Sequence, residues 1–183
     1  MIALFALVAV AAAVLDEMSM RTLSGPARVV DGDTLALGGE RVRLAGIDAP
    51  EHDQTCRRDG VEYACGRASR EYLATLVGGG DISCRGNERD RYGRLLARCV
   101  AGNVELAAAM VLAGWAVSAD GYAQEQREAR RQSAGIWAGS FMPPAEWRAS
   151  RGGTADIGAA GMAERLLQRL RSLFGSRGQG GDA

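Results

Sequence analysis

Three short segments of this 183-residue sequence carry side chains whose types and spacing could act together. Val29-Val30-Asp31-Gly32-Asp33-Thr34 sets two carboxylates on either side of a glycine. Arg43-Leu44-Ala45-Gly46-Ile47-Asp48-Ala49-Pro50-Glu51 adds a guanidinium and two more carboxylates. Asp90-Arg91-Tyr92-Gly93-Arg94 adds two guanidiniums around a tyrosine. Carboxylate oxygens are the ligands that a hard divalent cation takes, and a carboxylate can also position or deprotonate a water. A guanidinium fork receives the charge that builds on a phosphoryl group. Together these are the groups that hydrolysis of a phosphodiester requires. Taken singly, each segment also reads plainly as a turn, a strand end or a loop tip.

Composition narrows the setting. Apolar residues make up 47% of the chain, enough for a real core, and 22 basic residues balance 22 acidic ones. A globally basic nucleic-acid glove is thereby excluded, so an anionic partner must be met by a local arrangement. Such an arrangement lies between Arg85 and Arg98, where five arginines face only Glu88 and Asp90. Every basic residue is arginine, which excludes Schiff-base chemistry and a phosphate-loop lysine.

The elements that must position these groups follow from periodicity. Ala27 to Val30 reads as a strand. Thr34 to Leu37, Gly38-Gly39 and Glu40 to Ala45 read as a hairpin, with Leu35 facing Val42 and Asp33 facing Leu44. A helix is expected over Gly66 to Val77, stopped by Gly78-Gly79-Gly80. Ile82 to Arg85 and Leu95 to Val100 form a second hairpin pair. Helices follow at Val104 to Ala113 and Gln124 to Ala134. Short strands, interspersed helices and one core predict an α+β fold: an OB-type five-stranded barrel with three packed helices.

Cys56, Cys65, Cys84 and Cys99 are an even set, and their spacing favours the disulfides Cys56–Cys65 and Cys84–Cys99. Zinc is the alternative, without a Cys-x-x-Cys pair and with His52 as the only histidine. Disulfides imply an oxidising compartment. Met1 to Leu15 is apolar throughout; as a helix it would span about 22 Å, short of the roughly 30 Å of a bilayer core. Residues 1–22 therefore read as an export signal of a secreted or periplasmic protein, with an N-terminal membrane anchor as the alternative. Residues 25–148 form the folded domain. Residues 149–183 read as a tail in which Met162, Leu166, Leu167, Leu170, Leu173 and Phe174 share one helical face.

In this order, from Ala27 to Trp137, the three segments and the final helix ending at Gly135-Ile136-Trp137 resemble the staphylococcal nuclease family. The resemblance implies an OB-fold, calcium-dependent enzyme that cleaves DNA and RNA to 3′-phosphate ends, working as a monomer. It implies that Asp33, Asp48 and the carbonyl of Ala49 hold the calcium, with Asp31 beside them acting through water. Glu51 would be the general base, and Arg43 and Arg94 the clamp on the reacting phosphate. Tyr92 and Tyr122 would lie near the substrate sugar and phosphate, with Arg91 as a looser phosphate contact. The chain departs from the family pattern in having Ala49 for a threonine, Asp120 for a second tyrosine, and an inserted Cys56–Cys65 loop.

One conflict arises within the hairpin itself. Its alternation sends Asp33 and Arg43 to opposite faces, whereas a shared site needs them together. A kink at Gly32 is therefore predicted. The alternative function is an OB-fold module that holds nucleic acid or a protein without cutting.

Overall fold

The computed structural model describes residues 20–151 together with residues 4, 5 and 7. The apolar N-terminal run falls almost wholly outside the described residues, and the helical pattern from Met162 to Phe174 lies outside them entirely. The chain divides into units Met1–Trp147 and Arg148–Ala183. The barrel belongs to the first. In the second, the described residues 148–150 end the last helix and residue 151 follows it.

In chain order the elements are β1 (Arg21–Val29), β2 (Thr34–Leu37), β3 (Glu40–Leu44), β4 (Ile47–Asp48), β5 (Cys56–Arg58), β6 (Val61–Tyr63) and α1 (Cys65–Val77). Then come β7 (Asp81–Arg89), β8 (Leu95–Ala101), β9 (Val104–Glu105), α2 (Leu106–Leu112) and β10 (Val117–Ser118). Last are α3 (Ala123–Arg131), a 3-10 turn (Gly135–Ala138) and α4 (Pro144–Ser150).

The first half of β1 pairs with β7 and its end with β2; β2 pairs with β3, and β7 with β8. β3 then runs parallel to β8, which closes the sheet into the expected five-stranded barrel. The Gly38-Gly39 turn sets Leu35 opposite Val42, as alternation predicts. Leu35, Leu37, Val42, Leu44, Ile82 and Leu95 are buried inside the barrel, each such side chain contributing roughly 1.5–3 kcal/mol. Cys65, Ser69, Leu73 and Val77 recur every fourth residue and form the buried face of α1.

Both favoured disulfides form, Cys56–Cys65 and Cys84–Cys99, so all four cysteines are paired. The loop closed by the first is itself a hairpin, β5–β6, turning through Asp59 and Gly60, both with positive φ.

Some boundaries differ from expectation. β1 begins at Arg21, because its first half is held by β7. The second helix starts at Leu106: Val104 and Glu105 pair back onto β8, and the Glu105 carboxylate caps the helix by accepting from the Ala108 amide. α4 is a fourth helix where three were expected. Among the described residues no helix is long and apolar enough to cross a membrane.

Candidate active site

β1 stops at Val29, the chain bends through Asp31, Gly32 and Asp33, and β2 resumes at Thr34. The predicted kink is present. Arg70 of α1 anchors the strand end, its guanidinium donating to the carbonyls of Val30 and Val29 at 3.1 and 3.3 Å. The Asp31 carboxylate accepts from the Asp33 amide at 3.1 Å and holds the bend. Only glycine fits at its apex: a β-carbon on Gly32 would stand 2.1 Å from Ser69 Oγ and 2.8 Å from the Ala49 side chain.

The bend re-aims Asp33 towards Arg43. Arg43 Nη1 lies 2.7 Å from Asp33 Oδ2, while Nη2 lies 2.9 Å from Asp48 Oδ1 and donates to the Ile47 carbonyl at 3.2 Å. One guanidinium thus spans two carboxylates. The parallel pairing of β3 and β8 brings the segment of Arg94 alongside. Arg94 Nη1 donates to Thr34 Oγ1 at 3.0 Å and lies 4.0 Å from Asp33 Oδ1; the Thr34 hydroxyl donates to that same Oδ1 at 2.8 Å. Asp90 aims Arg94 by accepting from Nε and Nη2, both at 2.7 Å. Its other oxygen accepts from the amides of Tyr92 and Arg94 and fixes the turn.

Shelter sets the electrostatics. Burial pushes the Asp33 carboxyl up to about 7, Arg43 pulls it back, and Asp31 pushes it further up. Burial also acts to raise Asp90, but the hydrogen bonds from Arg94 prevail and hold it below its ordinary value. The centre thus has more carboxylate than Arg43 alone neutralises. Its hard oxygens and surplus negative charge fit a divalent cation such as calcium. Among the described residues no three His, Cys, Asp or Glu side chains converge into a cage, so a cation held by Asp33 and Asp48 would keep waters or take backbone oxygens for its remaining positions.

The other predicted residues are placed as follows. Ala49 is buried against the bend. Glu51 is half-buried, three residues beyond Asp48, and His52 beside it is exposed. Tyr92 is exposed, with the guanidiniums of Arg91 and Arg94 at 4.9 and 5.5 Å from its ring centre. The structure does not bring Tyr122 to this group. Its ring is buried, packing on Gly46, and its hydroxyl donates to Glu105 at 3.2 Å. Burial and then Glu105 push that hydroxyl up to about 12. Tyr122 thus backs the turn between Arg43 and Asp48.

The sequence pattern assigns no role to Asp90 or Thr34, although each lies within a motif. For Asp90 the signal was present: an acid four residues before Arg94.

The family model described as "Staphylococcal nuclease homologue" matches residues 41–139. The succinoglycan biosynthesis protein ExoI of Rhizobium meliloti (strain 1021) is 38% identical over 130 residues, 67% of this chain and 68% of that protein. An uncharacterized endonuclease of Escherichia coli is 35% identical over 133 residues, 66% of this chain and 81% of that one. The micrococcal nuclease of Shigella flexneri is 35% identical over 172 residues, 80% of this chain and 94% of it.

Proposed function

The chain belongs to the staphylococcal nuclease family, and on that premise we propose that it is a calcium-dependent nuclease hydrolysing DNA and RNA to 3′-phosphate ends. The observation that carries the proposal is the meeting of Arg43 and Arg94 over Asp33, at 2.7 and 4.0 Å. Two guanidiniums held among the sheltered carboxylates of Asp33, Asp48 and Asp90 are a costly arrangement for stability alone. They suit a site that receives a polyanion.

In this reading Arg43 and Arg94 take the non-bridging oxygens of the scissile phosphate, where charge grows as water adds to phosphorus. Glu51 orients that water and accepts its proton. The phosphorus–O5′ bond breaks, the 5′ oxygen gains a proton from solvent, and the phosphate stays on the 3′ side. Asp33, Asp48 and the Ala49 carbonyl would hold the calcium, which supplies positive charge that polarises the phosphoryl group. Asp31 supports Asp33 from the bend. Arg91 and Tyr92, exposed beside Arg94, extend the contact along the strand. Tyr122 would act on the substrate only through the turn it backs.

The two disulfides support an oxidising compartment, secreted or periplasmic, with attachment to the inner membrane through the N-terminal segment as the variant of that reading. The barrel would act as a monomer.

Digestion of single-stranded DNA, duplex DNA and RNA, in calcium and in chelator, tests this. Cleavage in calcium only, with fragments whose free 5′-hydroxyls accept a labelled phosphate directly, is the expected result. Equal cutting in chelator removes the metal's part. Binding without cutting returns the protein to the non-catalytic module.

A further inference from the structure

We propose that Gln54 is a positioning residue for Glu51, fixing the backbone from which the general base is presented. The inference rests on the nuclease reading and on the part given there to Glu51. Gln54 is fully buried in a stretch without regular secondary structure. A buried amide must be paired to be tolerated, and that of Gln54 is.

Its Oε1 accepts from the Glu51 backbone amide at 3.1 Å, and its backbone N–H donates to the Glu51 carbonyl at 2.8 Å. Both backbone polar groups of Glu51 are therefore engaged by one residue. Gln54 is anchored in turn: Nε2 donates to the Met142 carbonyl at 2.7 Å, and its backbone carbonyl accepts from the Gly66 amide at 3.2 Å. Gly66, in the first turn of α1, closes the other side, since a β-carbon there would stand 1.7 Å from the Glu51 carbonyl oxygen. The neighbouring Cys65 is tied to Cys56. The Glu51 backbone is thus clamped between α1, the disulfide and a segment 88 residues downstream of Gln54.

An apolar side chain would fill the same volume without an amide to satisfy. What the amide adds is a fixed direction for Glu51. Placement of a reacting group matters steeply, because about 1 Å of error costs on the order of 100-fold in rate.

The test is steady-state cleavage of a defined oligonucleotide in calcium by the full, oxidised chain. It compares Gln54→Met and Gln54→Asn in the wild-type and Glu51→Gln backgrounds, with circular dichroism to establish folding. Gln54→Met is expected to lower kcat about 10- to 100-fold and leave KM within about twofold. In the Glu51→Gln background the same change should cost little, because the base it positions is gone. Gln54→Asn keeps a neutral amide one methylene shorter, which cannot reach the Glu51 amide and the Met142 carbonyl together, so a smaller fall is expected. If Gln54→Met does not fold, Gln54→Asn carries the same comparison.

Unchanged kcat, or an equal proportional loss in both backgrounds, overturns the inference and leaves the nuclease reading standing. A wild-type protein that does not cleave removes both. A Glu51→Gln variant as fast as wild type removes Glu51 from the chemistry, and Gln54's role with it.

Discussion

The guanidinium of Arg43 lies 2.7 Å from the carboxylate of Asp33, with side-chain exposures of only 18% and 7%. At that depth the pair cannot lose one member cheaply, because the other must then stay charged while poorly hydrated or, as Asp33 would, take up a proton. Asp48, 2.9 Å from the second arm of the same guanidinium, loses that ion pair by the same change.

Arg43→Met is therefore expected to lower stability at neutral pH by about 3 kcal/mol, read by urea unfolding in chelator. It should also lower kcat on the order of 100- to 1,000-fold. Arg43→Lys should recover only part of either loss, since an ammonium cannot span both carboxylates as a fork does. Full recovery by lysine would mean that charge alone matters here.

The Asp33 carboxyl gives a pH dependence of definite sign. Its ordinary value is 3.8, and burial raises it to about 7 in the folded protein. The folded state thus binds this proton more tightly than the unfolded chain does. Its contribution to stability is fully present below the unfolded value and is lost as pH climbs through the folded one. In chelator, the wild type should lose roughly 2–4 kcal/mol relative to Asp33→Asn between pH 4 and pH 8. Calcium should remove that decline by favouring the ionised carboxylate. A wild type that gains on Asp33→Asn across this range in chelator would contradict the assigned burial effect.

How much of this could be read in advance depended on whether a residue's partners were local. The register of Leu35 against Val42 followed from a two-residue glycine turn and a period of two. The bend at Gly32 was legible only as a necessity, because Asp33 and Arg43 had to meet. What presses on that glycine, Ser69 and Ala49, comes from elements that no periodicity links to it. Gln54 was invisible for the same reason, since its anchor at Met142 is 88 residues away. The first half of β1 includes Ser24, Gly25 and Pro26, which read locally as breakers; pairing with β7 overrides that preference. Resemblance puts Tyr122 near substrate, whereas its ring packs on Gly46 and its hydroxyl bonds to Glu105.

Gly32→Ala tests the bend directly. Its new methyl would meet Ser69 Oγ at 2.1 Å and the Ala49 side chain at 2.8 Å, so the apex must move. A cost of about 1–3 kcal/mol is expected from the overpacking. Asp33 is the next residue, so kcat should fall with it, on the order of 100-fold. Ser69→Ala removes the closest contact but also the hydroxyl's hydrogen bond to the Trp115 carbonyl, so Gly32→Ala should cost less when measured against Ser69→Ala than against wild type. A Gly32→Ala protein as stable and as fast as wild type would show that the apex has room the structure denies it.

Asp90 offers the last test, because it touches Arg94 and acts through it. Its Oδ2 takes both Nε and Nη2 at 2.7 Å, and its Oδ1 holds the turn that carries Tyr92 and Arg94. Asp90→Ala leaves the charge of Arg94 in place and removes what aims it, so kcat should fall about 10- to 100-fold. Arg94→Ala removes a preorganised donor outright and should cost more, about 100- to 1,000-fold. If Asp90 works only by directing Arg94, the double variant is no slower than Arg94→Ala. Additive losses would instead give Asp90 a part of its own, and the guanidinium of Arg94 would no longer account for this corner of the site.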